Sequence, residues 1–408
     1  MQQICLRRSS NSIFAMLSTL YVFFFYNNPD FRQYTLTTLF CYGFTLLLVF
    51  LSVLNRRIKY KRILTWIIVF CLFCVSSLLW AVDSESTGSR LLEIIVKLFA
   101  VYGVAESIRD EYDFVNVVKL FLGVLIINII YTIPSGVLNA VVFGRQNVST
   151  GNSTSWNANS LGIMAVYSLV LISMFIKKEK KKVYKIVIAF VMLFLMYIGI
   201  ASGSRKAFLF PVIYYAVLYV FSSKRGRIRK LIIGLISITI VYQLVTNIPE
   251  LYELIGFRLE AAVELVLGGT TTDMSAITRK SMIEYASELV RNKPILGYGF
   301  YGFSYMYGQR TGLYTYAHNN YLDLMVGLGL IGVILYYSLH FSIIRNLRNN
   351  GEENLIFRNN QVVALVIAQL SIDFAYVSYF NFDTVMLIAL CYVAIYQSNQ
   401  YALIEEGD

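Results

Sequence analysis

The chain has 408 residues, 57% hydrophobic and 14% charged, with mean hydropathy +0.61 and net charge +11. A soluble domain carries roughly 25% charged residues, so a water-facing surface around two or three domains is excluded in favour of one membrane domain over 1–408. The basic excess does not point to nucleic acid, because it sits in short clusters between apolar runs, as in cytoplasmic loops.

A spanning helix needs about 20 mostly apolar residues. Arg7 and Arg8 precede the first run, 11–27, and no small-residue cleavage site follows, so it reads as an uncleaved anchor. Spans at 35–54 and 63–82 flank the cluster Arg56, Arg57, Lys59, Lys61 and Arg62. The segment 92–106 is weaker, since it carries Glu93 and Lys97 four apart on one face. They either pair, which lowers the insertion cost, or line a polar cavity, and pairing is preferred. Spans follow at 113–133, 158–176, 183–202, 206–221 and 231–247, then a long segment 248–318, then spans at 319–341, 360–379 and 383–398. Twelve spans place both termini inside and put the clusters at 177–185 and 224–230 there too. Dropping 92–106 would turn both clusters outward, so it is kept.

The outer surface then has three features: a loop over 134–157, the turn Ser202-Gly203-Ser204-Arg205, and the segment 248–318 between spans nine and ten. A structureless stretch that long is uncommon, so it is expected to hold helices. Ser275–Arg291 has amphipathic periodicity and Pro294 ends it. Among the five cysteines, Cys71 and Cys74 form a C-x-x-C inside an apolar helix and read as plain core residues.

Few outer residues can do chemistry. His318 lies where the long segment re-enters the membrane, and an imidazole there can act as a base or simply bond the helix end. Arg205 and Lys206 follow a small-residue turn at a helix mouth, where backbone N–H groups and a guanidinium fork suit an anion. An outward arginine also runs against the charge bias, although it could merely reach for the interface. Arg279 opens the amphipathic helix, with Arg291 and Lys293 at its far end. The acids Asp273, Glu284, Glu288 and Asp323 lack metal-ligand spacing with either histidine. Gly297–Gly302 fits G-x-G-x-x-G but lacks the strand–helix setting of a nucleotide site. Asp373 is an intramembrane acid and the best residue for a transporter.

Taken together, these blocks resemble the O-antigen polymerase (Wzy) and O-antigen ligase superfamily. The resemblance rests on Ser202-Gly203-Ser204-Arg205-Lys206-Ala207, on Arg279 with Pro294-Ile295-Leu296-Gly297-Tyr298-Gly299, and on His318-Asn319-Asn320-Tyr321-Leu322 with Gly329-Leu330-Ile331-Gly332. Asn157-Ala158-Asn159 with Leu161-Gly162 adds a fourth block, and the four cover roughly 145–340 in matching order. One departure is Gly327, where many relatives carry an acid.

The resemblance implies an all-α, GT-C-like membrane glycosyltransferase acting on glycan carried by undecaprenyl pyrophosphate, outside the cytoplasmic membrane, with no metal or cofactor. It implies that Arg205 and Arg279 hold the pyrophosphate and that His318 deprotonates the acceptor hydroxyl. Arg145, Asn159, Lys206, Arg291, Asn319, Asn320 and Tyr321 complete the candidate substrate contacts. Beyond the lipid-linked oligosaccharide and the bilayer, a chain-length regulator and a flippase are expected partners. A polymerase of capsule, exopolysaccharide or O-antigen repeats is preferred to a ligase of finished glycan. A flippase or transporter is the alternative of another class.

Overall fold

The computed structural model describes residues 10–27, 35–54, 58–132, 158–176, 179–221, 226–266, 269, 271–347 and 359–405. Arg145 and the expected loop 134–157 lie outside them. Within the described residues the regular structure is entirely helical. In chain order the principal helices are α1 (Ser10–Asn27), α2 (Thr35–Val53), α3 (Lys61–Ser76), α4 (Ser84–Ser107), α5 (Glu111–Thr132), α6 (Ala158–Ile176), α7 (Lys182–Ala201) and α8 (Arg205–Phe221). Then come α9 (Arg227–Asn247), α10 (Phe257–Val266), α11 (Met274–Asn292), α12 (Gly302–Thr311), α13 (Asn320–Arg345), α14 (Asn359–Ile372) and α15 (Phe382–Glu405).

Seven of these are long and apolar enough to cross a membrane: α2, α3 with its short extension to Leu79, α5, α6, α7, α9 and α13. Apolar helices α1 and α14 are shorter. Each remaining predicted span also falls on a helix, but α4 carries Glu85, Arg90, Glu93, Lys97 and Glu106, and α8 has 17 residues with Pro211 inside. Large apolar side chains such as Leu46, Phe190 and Ile228 face outward. Such a surface suits lipid, where every backbone group is satisfied within the helix. Helix α6 is the most enclosed of the seven and packs on α5, α7 and α8. Helix α14 lies along α8, α4 along α2 and α15, and α3 along α13.

One span ends well short of its expected bound. Helix α14 stops at Ile372 rather than 379, and residues 373–381 turn without helix. That backbone is shielded: Tyr376, Val377, Ser378 and Tyr379 are all buried. Irregular backbone at such depth is tolerated only inside protein. The turn is tied down by Asp373, whose Oδ1 accepts from Gln369 Nε2 and Ser378 Oγ, each at 2.7 Å, and whose Oδ2 accepts from the Tyr337 hydroxyl at 2.8 Å.

The segment 248–318 does contain helices. The predicted amphipathic helix is α11, capped by Asp273, whose Oδ1 accepts from Ser275 N at 2.9 Å. Its apolar stripe Met282, Ala286 and Leu289 packs on Tyr298, Phe303 and Val326. Beyond it, residues 294–301 run alongside α13. Tyr298 N donates to Val326 O at 2.8 Å and Gly299 N to Gly327 O at 2.9 Å. Glycine permits this approach: a Cβ on Gly297 (φ +66°) would lie 2.5 Å from Val326 O. One on Gly329, at φ +64° and a kink in α13, would lie 2.6 Å from Leu296 N. The Gly297–Gly302 pattern is therefore a packing device between backbones.

Candidate active site at the loop end of the bundle

The turn before α8 is built from small residues. Gly203 takes φ +57°, and Ser202 is held by donating from Oγ to Gly199 O at 2.7 Å. Gly162 of α6 lies against it so tightly that a Cβ there would collide with Ser202 Oγ. This explains the Leu161-Gly162 block by close packing. Arg205 leaves the turn as the first residue of α8 and pairs with Asp273, the residue that caps α11. Arg258 of α10 donates from Nη1 to Gly203 O at 2.8 Å.

Three arginines from three helices, Arg205, Arg258 and Arg279, thus gather around the single carboxylate of Asp273. Arg279 makes no ion pair or hydrogen bond among the described residues. Burial lowers the guanidinium pKa of Arg279 and of Arg258, and for Arg279 the charge of Arg258 adds to the effect. Such crowding of like charge is costly without an anion. Two polar atoms of the turn, Ser204 Oγ and Arg205 Nε, are buried with no partner and so have bonds open to a ligand or water.

His318 faces the same cluster. Its pKa falls from the ordinary 6.5 to about 3, first through burial, then through the charges of Arg279 and Lys206. It is therefore a neutral imidazole at neutral pH, and its Nδ1 is buried without a partner. The backbone holds it under strain at φ +56°, a conformation costing a bulky residue on the order of 1–3 kcal/mol. Two contacts flank it. Asp323 Oδ2 accepts from Ala317 N at 2.8 Å, and Asn319 Oδ1 caps α13 by accepting from Leu322 N at 3.1 Å. The Tyr316 ring lies 4.4 Å from the imidazole, centroid to centroid.

The structure brings Arg205, Lys206, Arg279 and His318 together, with the Lys206 ammonium 4.1 Å over the Tyr376 ring. Other expected contacts fall elsewhere. Asn320 is fully buried: its Oδ1 accepts from Ser378 N at 2.7 Å and Tyr379 N at 3.1 Å, and its Nδ2 donates to Tyr337 Oη at 2.9 Å. Tyr321 donates to Leu370 O at 2.8 Å. Asn320 holds α13 to the 373–381 turn, Tyr321 holds it to α14, and Asn319 serves as a cap. Arg291 is exposed and sits about 18 Å along α11 from Arg279, at 1.5 Å per residue. Asn159 lies in the first turn of α6. Sequence reading passed over Arg258, although it runs against the inside-positive bias as Arg205 does. It also passed over Asp273 as an organiser of the arginines.

Apolar helices thus carry, at one end, a cluster of three arginines beside a neutral imidazole whose Nδ1 has no partner. The family described as O-antigen ligase matches residues 189–337, which hold every one of these groups. The match spans somewhat over a third of the chain and agrees with the resemblance to the O-antigen polymerase and ligase superfamily. No curated protein matches it.

Proposed function

We propose that this protein is a twelve-span, GT-C-like glycosyltransferase that polymerises undecaprenyl-pyrophosphate-linked oligosaccharide repeats into surface polysaccharide. It does so on the outer face of the cytoplasmic membrane. The observation that carries the reading is the meeting of Arg205, Arg258 and Arg279 with the unpartnered Nδ1 of His318. The donor pyrophosphate fits the arginine cluster, where guanidinium forks match phosphate oxygens. An acceptor hydroxyl oxygen attacks the anomeric carbon of the donor glycan. As that bond forms, the bond from the anomeric carbon to the pyrophosphate oxygen breaks, and its electron pair leaves with the pyrophosphate. The hydroxyl proton passes to His318. The arginines stabilise the charge growing on the leaving group, so the chemistry as written calls for no metal.

A low imidazole pKa also makes a weak base, which the bound donor corrects. Its negative charge offsets Arg279 and Lys206, the two cations that depress His318. The imidazole thus gains basicity when the donor is in place. A chain-length regulator and a flippase that supplies the donor are the partners this activity requires.

A ligase is the second reading, favoured by the description of the matched family. The test is glycan length in cells carrying His318→Asn, Arg205→Ala or Arg279→Ala, with protein levels matched. Collapse of the polymer ladder to single lipid-linked repeats supports the polymerase. Full-length glycan accumulating on the lipid carrier points to the ligase. An unchanged ladder in all three variants sinks both.

A further inference from the structure

A cavity of about 1000 Å³ opens between the C-terminal end of α1, the N-terminal ends of α2 and α4, and residues 301–305 and 314. It is at the top of the roughly 300–1000 Å³ range of ligand sites. Five tyrosines line it: Tyr26, Tyr42, Tyr301, Tyr305 and Tyr314. Hydroxyl-bearing Ser86, Ser89 and Ser304 sit between them with the carboxylate of Asp83. A second hollow of about 280 Å³ continues it, sharing Arg90, Glu93 and Tyr301 and ending at Tyr316. The Tyr316 ring lies beside the His318 imidazole, tilted 55° to it. Among the described residues, the two non-glycine positions with positive φ are Tyr301, which lines both hollows, and His318, which adjoins their far end through Tyr316.

A row of charges lines the junction of the two hollows. Arg90 lies 5.0 Å over the Tyr301 ring and contacts Glu93 at 3.0 Å. Lys97 contacts Glu93 at 2.6 Å and donates to Phe380 O at 3.0 Å. Glu93 and Lys97 therefore pair and line a cavity at once.

We propose that this path binds the acceptor glycan, a saccharide chain led past Tyr301 and Tyr316 to His318. Flat rings interleaved with hydroxyls, carboxylates and a guanidinium suit a sugar, which presents C–H faces and a rim of hydroxyls. The side follows from the chemistry. The nucleophile must approach opposite the leaving group. The arginine cluster takes the leaving pyrophosphate on the α8–α10–α11 flank, so the path on the α1–α2–α4 flank takes the attacking hydroxyl. This rests on the glycosyl-transfer reading above.

The experiment uses the full-length protein in nanodiscs, with undecaprenyl-pyrophosphate-linked repeat as donor. Short oligosaccharides of the cell's own surface polymer serve as acceptor. Ser86→Trp, which fills the cavity, and Tyr305→Ala, which removes a ring, are each expected to raise the acceptor KM about tenfold. The donor KM should not move, and Tyr305→Phe should behave as wild type because it keeps the ring. A rise in donor KM instead would show that the cavity holds the donor glycan, overturning the assignment. If neither constant moves in either variant, no saccharide uses the cavity. Wild-type protein that transfers nothing would sink the underlying reading separately. Saturation-transfer NMR on the same oligosaccharide would then show whether Ser86→Trp abolishes sugar binding, as a saccharide site requires.

Discussion

Two polar, buried groups stand side by side at the loop end of the bundle and differ in one respect. Around Asp373 every side-chain group has a partner: Gln369, Ser378 and Tyr337 donate to its carboxylate, and Asn320 donates to its carbonyl from the backbone at 2.7 Å. Around Arg205 and His318, three polar atoms are buried with none. The first group has closed its hydrogen bonds within the protein and holds α13, α14 and the 373–381 turn in register. The second keeps bonds open at the cost of local stability, which is expected where a ligand completes them. Two residues of one motif, His318 and Asn320, fall on opposite sides of this divide. Closure also weighs against Asp373 as a transport site, since all its acceptor positions are occupied.

The sharpest way to break the comparison is to remove the open group's base. Asn tolerates a left-handed backbone better than most residues, so His318→Asn is expected to fold normally. Transfer should fall by about 10²–10⁴, the usual worth of a general base. Transfer assays on lipid-linked repeat, with thermal stability measured alongside, check it. A variant that transfers well would remove His318 from the chemistry. Next in size is Arg279→Lys, which keeps charge but loses the guanidinium fork. A loss of about 10²-fold in transfer is expected, comparable with losing one oxyanion donor. Arg258→Ala should cost about as much, and would show that the cluster has three members rather than two.

Variants of the closed group should show the opposite signature. Asp373→Ala strands Gln369, Ser378 and Tyr337 together and is expected to cost about 3 kcal/mol or more of stability. The protein that remains folded should transfer at near wild-type rate. A thermal melt beside activity per folded molecule separates the two. If Asp373→Ala instead stays stable and loses activity, the divide between open and closed groups is wrong.

Much of this was legible in sequence because apolar length and charge bias report directly on helices. Every predicted span fell on a helix, and α11 began and ended within a residue of its expected bounds. The early end of α14 was not legible. Tyr376–Tyr379 read as apolar continuation, and only the bonds from Asn320 and Ser378 to Asp373, across the fold, reveal a turn. Arg205, Arg279 and His318 stood out as outward polar residues. The scaffolding role of Asn320 and Tyr321 did not, since a motif shows which residues recur together and not which way they point. Gly327 faces the 297–301 segment, but a Cβ there would meet Gly299 O at 3.4 Å, an ordinary contact, so crowding at the Cβ does not account for the glycine.

The smallest expected effect concerns pH, and it tests the open group without mutation. In the free protein His318 titrates near 3, well below its ordinary 6.5. The rate constant kcat/KM reports the free enzyme, so His318 should give it no acid limb between pH 5 and 8. The quantity kcat reports the complex, in which the donor's negative charge offsets Arg279 and Lys206 and raises the imidazole pKa. An acid limb should therefore appear in kcat at a higher pH than in kcat/KM. Stability carries the matching sign. A depressed folded pKa contributes stability in full above 6.5, and that contribution drains away as pH falls toward 3. Adding undecaprenyl pyrophosphate should shrink that loss at pH 5 by raising the folded pKa. Acid limbs that coincide in kcat and kcat/KM, with no effect of the lipid on acid stability, would mean that donor and base do not share one electrostatic site.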